Sequence, residues 1–83
     1  MKPEKRSFSI RGHRTSISLE APFWDALKAA AVDDGRSLAA LVAMIDAERG
    51  DANLSSAVRV WLLRRLTERQ STREGGGGAG DRR

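Results

Sequence analysis

The sequence predicts a mainly α fold with one N-terminal strand that pairs in trans with the same strand of a second copy. Three observations point there. Thr15-Ser16-Ile17-Ser18-Leu19 alternates polar and apolar residues, which suits a half-buried strand. Three segments with apolar residues at helical spacing follow it. The chain has 83 residues and no cysteine, so a small core must be stabilised by very good packing or by oligomerisation.

The elements follow in order. Residues 1–7 are polar and charged and read as a basic flexible arm. Residues 8–20 are the strand-like segment. Phe8 and Ile10 alternate on the opposite parity to Ile17 and Leu19, so one shared core requires a phase shift, and Gly12 is the place for a bulge or turn. Otherwise Phe8 and Ile10 form a separate short segment. Ala21-Pro22 opens the first helix, whose stripe is Phe23, Leu27, Ala30 and Ala31. Asp33-Asp34 ends it, with Gly35 as the left-handed residue beyond. Ser37 caps a second helix with the stripe Leu38, Leu41, Val42 and Ile45. Asn53 caps a third, with Leu54, Val58, Trp61, Leu62 and Leu66 on one face and Val60 and Leu63 off it. The domain thus spans residues 8–70, and residues 71–83 are a Gly-rich disordered tail. No internal repeat is apparent.

A lone strand leaves a row of backbone N–H and C=O groups without partners. Pairing with a second copy about a two-fold axis satisfies them. Ile17, Leu19, Phe23, Leu27, Leu38, Leu41, Val42 and Ile45 are then the expected dimer core, and Arg14, Ser16 and Ser18 face outward. A two-stranded ribbon has the width to enter the major groove of B-DNA, where an arginine donates two hydrogen bonds to guanine and serines suit several bases. Net charge is +4, and residues 1–14 hold Lys2, Lys5, Arg6, Arg11 and Arg14 against the single acid Glu4. Lys5, Arg6 and Arg11 are candidate phosphate contacts.

Arg14-Thr15-Ser16-Ile17-Ser18-Leu19 running straight into a helix, the helix end at Gly35, and the Gly35-Arg36-Ser37 turn together resemble a ribbon-helix-helix domain. The β-ribbon readers Arc and MetJ belong to that superfamily. The wider stretch, residues 5–66, is similar to a group of short proteobacterial members. The resemblance implies base contacts from Arg14, Ser16 and Ser18. It also implies a phosphate held by the turn at Arg36, Ser37 and Leu38, in keeping with anion binding at helix N-termini. A third helix is added to the minimal domain, and serines stand where many relatives carry longer readers.

Other classes find little support. Without cysteine there is no thiolate site, and a lone His13 builds no metal site. Asp33 and Asp34 are adjacent, and Asp46 and Glu48 lie two apart, so neither pair shares a helix face for acid–base work. The glycines at 75–78 open no helix and form no phosphate loop. No enzyme activity, cofactor or metal is expected. No segment reads as a signal or a membrane span, so a cytoplasmic location without membrane contact is expected, and the resemblance implies a bacterial protein. Trp24 and Trp61 read as core or interface residues. Arg59, Arg64, Arg65, Arg69 and Arg73 read as the solvated face of the third helix. The expected function is double-stranded DNA binding by a homodimeric transcriptional repressor. The alternatives are an antitoxin-type module that binds a toxin-like protein, and a structural oligomer built as a tetramer through the third helix.

Overall fold

The computed structural model describes the backbone of residues 1–78 and the side chains of residues 1–69. Its order is β1 (Glu4–Ile10), β2 (His13–Leu19), α1 (Ala21–Asp33), α2 (Leu38–Glu48) and α3 (Leu54–Gly78). The strands form an antiparallel hairpin in register Lys5↔Ser18, Ser7↔Ser16 and Ser9↔Arg14.

The hairpin corrects the expectation of a single strand. Glu4–Ser7 belong to β1 and not to a basic arm. Partners for one edge of β2 come from the same chain, so the need for trans pairing that rested on an unpaired strand is removed. The phase problem has a simple solution. Arg11 and Gly12 both adopt positive φ, 52° and 79°. Two such residues make the mirror-image turn that joins strands without a bulge. Across it, residues of opposite parity share a face, so Ile10 meets the same core as Ile17 and Leu19. The polar composition of residues 4–7 hid β1. Arg6 takes an inward position there because its guanidinium lies 4.9 Å from the centroid of the Trp24 ring.

The helix signals are realised. Pro22 sits in the first turn of α1. At its other end Arg36 N–H reaches the Ala31 carbonyl at 2.9 Å across Gly35, whose φ is +67°. Ser37 Oγ accepts from Ala40 N–H at 3.0 Å at the start of α2. Asn53 Oδ1 accepts from Ser56 N–H at 3.2 Å at the start of α3. Helix α3 does not stop near residue 70. Residues 71–78, expected in the tail, continue it: Thr67–Glu74 contain neither proline nor glycine to interrupt the helix, and Gly75–Gly78 follow as its last turn. Residues 79–83 of that expected tail lie outside the described residues.

One core joins the hairpin to the helices. Ile17, Leu19, Leu27, Leu41, Val42 and Ile45, expected to be buried in a dimer, are already buried within one chain. Phe23 and Leu38 are only partly buried. Trp24 takes the core position beside Phe23, and its Nε1–H donates to the Glu4 carbonyl at 2.9 Å. The stripe of α3 is shorter than expected. Leu54, Val58 and Leu62 are buried, but Leu66 is 57% exposed and Leu63 64%. An open apolar groove of about 370 Å³ separates these leucines from Phe23 and Ala26 of α1.

Candidate nucleic-acid interface

The pleat sends alternate side chains of the hairpin to opposite faces. Phe8, Ile10, Ile17 and Leu19 face the helices. The other face carries Lys5, Ser7 and Ser9 from β1 and Arg14, Ser16 and Ser18 from β2. All are exposed except Ser18, which is half-buried. The three residues expected to meet base edges therefore share one face. Lys5 shares it too, and Ser7 Oγ lies 3.4 Å from Ser16 Oγ. Ser7 and Ser9 had escaped notice. Their signal was the alternation from Lys5 to Ile10, obscured by Arg6 at an inward position.

The remaining expected contacts are spread around this face. Arg11 is exposed at the tip of the hairpin. Arg6 turns away from the outer face, lying over Trp24 and 3.8 Å from Glu4 Oε1. Arg36 and Ser37 are exposed and Leu38 is half-buried at the start of α2. Ser37 uses its side chain on Ala40 N–H and its carbonyl on Leu41 N–H, which leaves the amides of Leu38 and Ala39 for an acceptor.

Electrostatically the hairpin differs from the rest. Among the described residues, Lys5, Arg11 and Arg14 make no ion pair, and no carboxylate projects from the outer face. The arginines of α3 are occupied. Arg59 meets Glu20 at 3.1 Å, Arg65 chelates Asp34 at 2.9 and 3.1 Å, and Arg69 meets Asp33 at 3.1 Å. These three are not a plain solvated face, as expected, but ties to α1 and its approaches. Arg64 is exposed, and the side chain of Arg73 lies outside the described residues. A hydrogen bond from its own backbone, then the Arg59 guanidinium, hold the Glu20 carboxyl below its ordinary range. Arg65 does the same for Asp34.

The outer edge of β2 is clasped at one end. Ser18 N–H donates to Ser55 Oγ at 3.2 Å, and Arg59 Nη2 lies 3.5 Å from the Ser18 carbonyl. His13 is exposed beside the turn. Among the described residues no cluster of three metal-binding side chains exists, and no helix is long and apolar enough to cross a membrane.

No curated protein and no solved structure matches the chain. A family model does, over residues 3–66, from just before β1 to the exposed Leu66 of α3. That match covers the hairpin, both following helices and the packed half of α3, so the chain belongs to the ribbon-helix-helix domain family.

Proposed function

We propose that this protein is a double-stranded DNA-binding transcriptional repressor that acts as a homodimer. Ribbon-helix-helix domains generally bind DNA and dimerise, and they are typically non-enzymatic regulators. The observation that carries the reading here is the outer face of the hairpin. It is exposed, carries cations and short hydroxyl side chains, and lacks an internal counter-charge. Arg14, Ser16 and Ser18 contact base edges in the major groove, with Arg14 bidentate to a guanine. Lys5, Arg11 and the first turn of α2 at Arg36, Ser37 and Leu38 hold phosphates on the flanks. Arg6 contributes charge from behind the hairpin.

The antitoxin-type reading needs a C-terminal segment free to fold on a partner. The ties from Arg59, Arg65 and Arg69 to Glu20, Asp34 and Asp33 favour a third helix committed to its own domain. Mobility shifts of genomic fragments at low salt test the proposal. Retarded bands that Arg14→Ala weakens support it. No shift at low salt, with Arg14→Ala indistinguishable from the parent, removes it.

A further inference from the structure

Among the described residues, three large apolar side chains stand exposed together on α3. Val60 is 49% exposed, Leu63 64% and Leu66 57%. They follow one another three residues apart, so neighbours along the helix touch and form one ridge. Single exposed apolar residues need no explanation, but a continuous ridge marks a contact surface. The groove of about 370 Å³ runs beside it, with Pro22, Phe23, Ala26 and Ala29 of α1 as its far wall. Small alanines on that wall let another helix come close, and ridge and groove lie side by side on one surface.

Charge narrows the choice of occupant. Arg65 and Arg69 line the groove, but Asp34 and Asp33 already hold them. Ser56 and Thr67, both exposed, extend the outward face of Val60 and Leu63 without adding charge. A charged partner finds no counter-charge along this strip, whereas a neutral apolar helix face does fit. α3 itself carries such a face. Length points the same way. α3 has 25 residues, about 37 Å, against 13 residues and about 20 Å for α1, so α1 flanks only part of it. The family match stops at Leu66, so the family domain does not account for the rest of α3. A two-fold axis at Leu63 sets a second α3 antiparallel to the first. Val60 then meets Leu66 and Leu63 meets its own copy, apolar on apolar along the whole ridge.

We propose that α3 docks on α3 of a second copy of this chain, antiparallel about Leu63, with the ridge of each copy seated along the α1–α3 groove of the other. This goes beyond the DNA-binding reading and does not rest on it. No residue of the ridge or the groove belongs to the hairpin, so the contact leaves the outer face of the hairpin free. Combined with a dimer built on another surface of the chain, it joins four chains.

Sedimentation equilibrium of the full chain, without DNA, tests this. Leu63→Glu combined with Leu66→Glu is expected to halve the mass of the particle, because the contact would bury like charges face to face. Val32→Glu is the control. Val32 is 78% exposed but does not line the groove, and its variant is expected to keep the parental mass. Both leucines are mostly exposed within one chain, so the stability of a single chain changes little with either. Equal masses for the parent and the double variant overturn the proposal. A cross-link gives a second readout that does not depend on how the double variant folds. The chain has no cysteine, so Leu63→Cys is expected to yield a disulfide-linked pair of chains without reductant, and Val32→Cys is expected to stay unlinked. Leu63→Cys that links no more than Val32→Cys overturns the antiparallel contact. If the masses differ as expected while no fragment is retarded at low salt, the DNA-binding reading fails and this contact stands. Far-UV circular dichroism verifies the fold of each variant.

Discussion

The hairpin and α3 are both rich in basic residues, yet they use them in opposite ways. On the hairpin, Lys5, Arg11 and Arg14 face solvent without carboxylate partners among the described residues. On α3, Arg59, Arg65 and Arg69 each meet a carboxylate at about 3 Å. Arg59 and Arg65 also lie over aromatic rings, 5.6 Å from Phe23 and 5.4 Å from Trp61. Net charge alone cannot separate these groups. An arginine already paired with a carboxylate has little left to offer a phosphate. An arginine held on a strand with no partner presents its full charge to whatever approaches. Location of counter-charge, not the number of cations, divides the cations left free for a partner from those that tie the fold together.

The largest expected effect comes from the α1 residue that anchors the hairpin. Trp24 is buried, accepts Arg6 over its ring and ties β1 through Glu4. Trp24→Ala is expected to cost about 3–5 kcal/mol of stability, read by urea denaturation. A change below 1 kcal/mol would mean that the hairpin does not depend on that ring. Next comes Arg14→Ala, expected to weaken binding to a retarded fragment by about 1–3 kcal/mol. Its thermal midpoint should stay where it is, and a large drop would place Arg14 among the structural cations.

Arg65→Ala is the mirror experiment. Exposed ion pairs are worth about 0.2–1 kcal/mol, so a modest loss of stability with unchanged DNA affinity is expected. Binding that weakens as much as with Arg14→Ala would erase the distinction. Acid sharpens it further. Glu20 and Asp34 both have folded values below their ordinary range. Their contribution to stability is complete at neutral pH. It is retained down to ordinary carboxyl values, then lost as pH falls through the lowered folded values. Denaturation midpoints should therefore fall on acidification below about pH 4, and Arg65→Ala should flatten that fall. The smallest effect is expected at Leu63→Gln, within about 0.5 kcal/mol, because the side chain is mostly exposed.

The helices were legible because local chemistry sets them. Pro22, Ser37 and Asn53 start helices through a fixed φ or a side-chain oxygen on a nearby amide, and Gly35 closes α1 through a backbone angle. Each signal is complete within four residues. The hairpin was only half legible. β2 has β-branched residues and clean alternation, whereas β1 hides behind Arg6, whose inward place depends on Trp24 eighteen residues away. The face carrying Arg14, Ser16 and Ser18 could be read from parity, but its second row could not, because that row exists only once the register is known. Similarly, nothing local says that Arg65 and Arg69 meet Asp34 and Asp33. Only the packing of α3 against α1 brings them together.

The tip of the hairpin has a consequence of its own. Arg11 is the only residue other than glycine with positive φ among the described residues. A left-handed conformation costs an ordinary side chain about 1–2 kcal/mol, and asparagine tolerates it far better. Arg11→Asn should therefore yield a tighter hairpin and a higher melting temperature. A more stable protein is one substitution away at this turn, and the sequence keeps a strained cation there instead.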